Sequence, residues 1–142
     1  MTLFRRRAPR ALRLLFAAAC AVGGFAATAS LAQGPKLQLL DKLQPGMWEM
    51  RFRDGSAARR MCLTSGRQLI QIRHPGASCQ TQVVEDAPES VTVTYTCLGA
   101  GYGRTTVRME TSALAQLESQ GIASGLPFDF AAEVRRVGAC TG

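Results

Sequence analysis

Apolar and polar positions alternate along most of the chain beyond residue 45. Trp48, Met50 and Phe52 alternate with Glu49, Arg51 and Arg53, the period-two pattern of a strand with one buried face. Asp54-Gly55 follows, a strong short hairpin signal, and Ala57 to Leu63 is the expected return strand. Centring the turn on Asp54-Gly55 sets Trp48 opposite Met61 and Glu49 opposite Arg60. That puts an apolar pair on one face and an exposed ion pair, of little energetic worth, on the other. A second alternation is stricter: Val91, Val93, Tyr95 and Cys97 against Thr92, Thr94 and Thr96. Residues 79–86 precede it across the turn Ala87-Pro88-Glu89. Folding this hairpin about Pro88 pairs Cys79 with Cys97, Thr81 with Tyr95, Val83 with Val93 and Glu85 with Val91. The opposite face pairs Gln80 with Thr96 and Gln82 with Thr94. A one-residue slip would spoil the mostly apolar face, the polar face and the facing cysteines together.

The remaining segments extend this pattern. Leu37, Leu40 and Leu43 fall at spacing three and predict a short helical turn that Pro45-Gly46 ends. Thr64 or Ser65 can cap a short helix running through Arg73, with Leu69, Ile70 and Ile72 on its apolar side. His74-Pro75-Gly76 is turn chemistry that stops it. The run Gly99-Ala100-Gly101-Tyr102-Gly103 reads as a flexible hairpin loop. It lacks the G-x-G-x-x-G spacing and opens no helix, so it is no phosphate cradle. From Arg104 to Glu110 alternation resumes with Val107 and Met109 inward. Ala113 to Glu118 has helical propensity. It is followed, however, by Gly121 to Gly125, which looks like a hairpin loop, and by alternating Phe128 and Phe130. Within a run of hairpins a strand is the expected state for 113–120. The last strand reaches about Val137, with a bulge expected at Arg136, where alternation breaks. The predicted fold is mainly β: a curved, meander-like antiparallel sheet of hairpins with one short helix.

The first 32 residues follow a different rule. Arg5, Arg6, Arg7, Arg10 and Arg13 precede Leu14 to Ala32, a stretch with no charge and rich in Ala, Leu and Phe. A basic start, an apolar run and small residues form the signal-peptide pattern. Ser30-Leu31-Ala32 suits cleavage before Gln33, and Ala27-Thr28-Ala29 offers a second site before Ser30. Two alternatives keep the chain on a membrane: an uncleaved anchor through residues 14–32, or lipidation of Cys20. Twin-arginine export fits less well, because Ala8-Pro9-Arg10 stands where apolar residues are expected. The expected organisation is a signal peptide over 1–32, a linker or short helix over 33–44 and one β domain over 45–142. No membrane span is expected after cleavage, and the location is periplasmic or secreted.

Composition changes the picture only in part. The 142 residues are 46% apolar and 19% charged, which is globular and one domain's worth. The formal charge of +7 comes from 17 basic against 10 acidic residues. Five of those basic residues and no acidic one lie in 1–32, so the remainder holds 12 against 10. Phosphate-driven nucleic-acid binding, which needs a sustained basic stripe, is thereby excluded. Arg59-Arg60 and Arg135-Arg136 read as solvated strand faces.

Beyond residue 32 four cysteines remain: Cys62, Cys79, Cys97 and Cys140. An even number in an exported chain of this size reads as a disulfide framework. No two form C-x-x-C, and the lone His74 has no ligand spacing to them, which argues against zinc and thioredoxin-like chemistry. The hairpin register predicts Cys79–Cys97, leaving Cys62–Cys140. In the chain-entropy account each bridge contributes about 3–5 kcal/mol, comparable to the net stability of a small domain.

Pro45-Gly46-Met47-Trp48-Glu49, then Cys62-Leu63-Thr64, then Cys79, Cys97 and a closing Gly138-Ala139-Cys140 resemble the domain of unknown function 3617 family of exported bacterial proteins. The resemblance runs over roughly residues 43–140. It implies export, an antiparallel β fold and paired cysteines, and it carries no activity with it. The Ala/Leu-rich 113–117 stretch departs from the stronger β formers expected there.

No catalytic, cofactor-binding or metal residue is nominated, and no cofactor is implied. The expected function is that of a non-catalytic exported β module. Trp48, Phe52, Tyr95, Phe128 and Phe130 supply a core or a face for a small apolar ligand. An alternative is an envelope protein-interaction module that uses unpaired sheet edges. A periplasmic enzyme would have to draw on Glu49, Glu85, Asp86, Glu118, Asp129 and Glu133. Of these, Asp129 and Glu133 share a strand face without a cleft to hold them.

Overall fold

A computed structural model describes residues 36–141. The proposed signal peptide, the alternative anchor over 14–32, the Cys20 lipidation site and residues 33–35 lie outside the described residues. No helix among the described residues is long and apolar enough to cross a membrane.

The chain forms helix α1 (Gln38–Asp41) and seven strands: β1 (Gly46–Phe52), β2 (Arg59–Leu63), β3 (Cys79–Asp86), β4 (Ser90–Cys97), β5 (Gly101–Thr111), β6 (Leu114–Ala123) and β7 (Leu126–Gly138). A 3-10 helix, Gly66–Leu69, lies between β2 and β3. All strands join one unclosed antiparallel sheet in the order β2-β1-β7-β6-β5-β4-β3. Strands β3 to β7 are a true meander. The β1–β2 hairpin is laid against β7, a pairing between the two ends of the domain.

The alternation seen in the sequence selects the buried face. Trp48 and Met50 of β1, Val91, Val93 and Tyr95 of β4, Val107 of β5, Leu117 of β6 and Val134 of β7 are all buried. This face is covered by Leu37, Leu39, Leu40 and Leu43 around α1 and by Leu69 and Ile70 beyond β2. At about 1.5–3 kcal/mol for each fully buried aliphatic side chain, that cover is a large part of the domain's stability.

The first hairpin has the expected register, with Trp48 opposite Met61 and Glu49 opposite Arg60. Its return strand begins at Arg59 rather than Ala57, because Asp54 Oδ1 accepts hydrogen bonds from Ser56 N (2.9 Å) and Ser56 Oγ (2.7 Å), which holds the chain in a loop. The second hairpin keeps the expected register from Cys79–Cys97 to Val83–Val93 and then shifts, so that Glu85 faces Thr92 and Asp86 faces Val91. The Glu85–Val91 pairing is therefore corrected. The tight turn closed by Ala87 N donating to Ser90 O (2.8 Å) is one residue out of phase with the strands, and a bulge at Val84 absorbs the difference.

Three further expectations are corrected. The helix after β2 is one turn, Gly66–Leu69, and does not run through Arg73. Ser65 caps it with Gln68 in a capping box, but the Ile70 carbonyl is taken by Thr105 instead of a further helical turn. The Gly99–Gly103 loop shrinks to residues 98–100, and Gly101 to Gly103 belong to β5. The loop at Gly121–Gly125 is likewise only Ser124-Gly125, with φ of 51° and 78°, a type I′ turn whose twist suits two paired strands. Residues 114–123 are strand despite their helical propensity, paired on both sides along their length. The bulge near Arg136 is present, opposite the Met47/Trp48 step.

Cys79 is joined to Cys97 and Cys62 to Cys140, with Cα separations of 4.1 and 5.5 Å. In the sheet, Met47 of β1 lies between Cys62 and Gly138. Two strand spacings are about 9.6 Å, so residues 139–140 cross the start of β1 to reach Cys62. The long bridge thus straps β7, β1 and β2 together.

Candidate functional site

Residues 64–78 cross from one sheet edge to the other and meet the sheet through polar as well as apolar side chains. Thr105 Oγ1 donates to Ile70 O at 2.7 Å and lies 2.8 Å from Ser119 Oγ. His74, only 5% exposed, anchors the far end. Its Nε2 is 3.1 Å from both Ala100 O and Ile122 O. Two carbonyl oxygens can only accept, so Nε2 carries a proton, and Nδ1 shares a hydrogen bond with the Tyr95 hydroxyl at 3.2 Å. Burial pushes the Tyr95 phenol above its ordinary pKa, and the nearby Ser119 and Thr105 hydroxyls offset part of that. No buried side-chain polar atom among the described residues lacks a hydrogen-bond partner.

Glycine makes this cluster possible. A Cβ on Gly103 would overlap the Tyr95 ring and hydroxyl, and one on Gly101 would overlap the Ile122 carbonyl and press on His74. The glycine run that reads as a loop is therefore the seat of the Tyr95–His74 pair. The usable sequence signal was the inward parity of Gly101 and Gly103, in phase with Thr105 and Val107.

An aromatic row continues from His74. Its ring lies edge-on to Tyr95 (5.3 Å between centroids) and to Phe128 (6.1 Å), and Phe130 packs against Phe52 at 5.5 Å. Arg73 sits over the Phe128 ring at 5.5 Å.

Between β2 and the crossing segment runs a groove of about 510 Å³, within the range of small-molecule sites. Met61 and Leu63 form one wall, Ile72 and Pro75 the other, and Arg59 and Arg67 are its charged residues. Arg67 is occupied: it pairs with Asp41 at 3.0 Å and donates to Lys36 O at 2.8 Å. That contact holds the Asp41 carboxyl below its usual pKa. Local pattern gave no sign of this groove, because its walls come from separate segments and Arg59 reads simply as a strand-end charge.

The candidate carboxylates do not gather there. Glu49 is bound by Arg51 (2.8 Å) and Arg60 (3.0 Å), which lower its pKa. Glu85 and Asp86 lie at the hairpin end of edge strand β3. Glu118 and Asp129 share a shallow 240 Å³ depression with Arg104. Asp129 and Glu133, four residues apart on β7, are separated by about 13 Å along the strand, wider than paired-carboxylate hydrolysis uses. No group of three or more His, Cys, Asp or Glu among the described residues is placed to hold a metal ion.

The residues of the early sequence motif instead join the first strand of the domain to the last. Arg136 Nε donates to Pro45 O at 2.8 Å, a Cβ on Gly46 would overlap the Gly138 carbonyl, and Trp48 Nε1 donates to Gln44 O at 2.9 Å. The family model described as "Protein of unknown function (DUF3617)" matches residues 43–140. The chain belongs to the DUF3617 family. The match covers all seven strands and both cysteine pairs of this DUF3617 domain. No curated protein and no solved structure matches it.

Proposed function

We propose that this DUF3617 protein is a non-catalytic module, exported to the periplasm or secreted, that holds a small apolar molecule in the groove between β2 and residues 67–76. The groove itself carries the proposal: an apolar cleft of about 510 Å³ that the chain's own side chains leave unfilled. Two disulfides suit a chain that works in an oxidising compartment. A non-catalytic role fits the commitment of both His74 nitrogens to structural partners and the scatter of the carboxylates. Titration of the purified protein with the neutral fluorophore N-phenyl-1-naphthylamine should give saturable enhancement at one site. Ile72→Glu should abolish it while the circular dichroism spectrum stays that of the folded protein. Absence of saturable enhancement would reject a ligand role for the groove.

A second use, contact with an envelope protein, is favoured by the fully exposed Leu98 and the 70% exposed Leu126 on neighbouring loop tips. Strand augmentation is a poorer route for it. The β3 edge carries the Val84 bulge with Glu85 and Asp86, and β2 is short and begins with two arginines. A photo-crosslinker at position 98 that captured no protein in intact cells would dismiss this use.

A further inference from the structure

We infer that the occupant of the groove is a single-chain amphiphile with a carboxylate head, bound with its head at Arg59. The inference rests on the groove being a ligand site and goes further by naming the ligand's chemistry. Arg59, Met61 and Leu63 alternate along β2 and so share one side of the sheet. Arg59 pairs with Met50 and Met61 with Trp48, both members of the buried core row. Arg59 thus stands on the apolar side of the sheet, at its edge. Its guanidinium is exposed at the mouth of the groove, and no carboxylate lines the groove to pair with it. Arg59 also makes no ion pair or side-chain hydrogen bond among the described residues. Its neighbour Arg60 points to the other side and is taken by Glu49. Arg67, at the Leu63 end, is neutralised by Asp41. The groove therefore offers one uncompensated cation at one end and an apolar floor leading away from it.

The length fits the same ligand. From Arg59 to Leu63 the strand rises about 13 Å, the span of a medium-length alkyl chain, with Ile72 and Pro75 facing it across the groove. A guanidinium binds a carboxylate through paired N–H donors, while the chain displaces water from the partly exposed Met61 and Ile72.

The test is displacement of N-phenyl-1-naphthylamine from the whole protein by three ligands of equal chain length: dodecanoate, dodecanol and dodecyltrimethylammonium. Dodecanoate should compete at least tenfold more strongly than dodecanol, and the ammonium compound should be weakest. In R59Q, with an unchanged circular dichroism spectrum, the preference for dodecanoate over dodecanol should shrink to less than threefold. Equal competition by dodecanoate and dodecanol would overturn the inference, as would an R59Q variant that keeps the full preference. If the fluorophore binds and none of the three displaces it, a chain amphiphile is ruled out while the groove remains a ligand site. If the fluorophore does not bind, the groove itself fails as a site.

Discussion

Removing the Cys62–Cys140 bridge isolates the contribution of tying the chain's C-terminal segment to the first hairpin. Both cysteines are exposed, so replacing them with serine takes little packing from the core. The bridge closes a loop with a sequence separation of 78, and loop-closure entropy for that length gives about 4.5 kcal/mol at 25 °C. The Cys79–Cys97 bridge, with a separation of 18, gives about 3.2 kcal/mol by the same relation. Net stability of a domain this size is about 5–15 kcal/mol, so the long bridge is a large fraction of it. Urea unfolding can be followed through Trp48, the single tryptophan, which is 1% exposed when folded. With an m-value of about 2 kcal/mol/M, Cys62→Ser/Cys140→Ser should lower the midpoint by about 2 M. The m-value itself should rise slightly, because the unbridged unfolded chain expands. A loss below about 1 kcal/mol would refute the reasoning. It would mean that residual structure in the unbridged unfolded chain already keeps residues 62 and 140 close together.

Three further outcomes are expected. Tyr95→Phe leaves His74 Nδ1 without its hydroxyl partner in a buried site and should cost about 1–3 kcal/mol in chemical denaturation. Gly103→Ala pushes a methyl group into the Tyr95 ring and should cost about 1–3 kcal/mol, with the Tyr95 near-ultraviolet dichroism changed. Stability should also fall on acidification. The Glu49 pKa is lowered in the folded state, chiefly by Arg51 and then Arg60, from an ordinary 4.5. Its contribution is therefore present above that value and is lost as pH drops through the lowered one. Thermal melts of Glu49→Gln between pH 6 and 3 should show a shallower decline than the parent. An equal decline would remove Glu49 from the account.

Local order in the chain sufficed for much of the sheet. The Val/Thr alternation of 91–97 fixed which face is buried, and Asp54-Gly55 and Pro88 fixed two hairpins, because side-chain direction in a strand depends only on parity. Facing positions in the second hairpin brought Cys79 to Cys97 and left Cys62 for Cys140. Turn details were less legible, since the bulge at Val84 and the Asp54–Ser56 contacts depend on closing geometry that residue type alone does not set. Pairing of β1 with β7 has no local signal, since it joins residues 80 or more positions apart in sequence. The burial of His74 was likewise decided only in three dimensions. A His-Pro-Gly turn looks solvent-facing in sequence, but here the crossing segment is pressed onto a sheet whose Gly101 and Gly103 leave room for its ring. The groove, too, exists only where β2 and the crossing segment come together. Strand periodicity and cysteine placement are properties of neighbouring residues. The order of the strands, the polar cluster and the site are properties of distant ones, and only the packed chain brings those together.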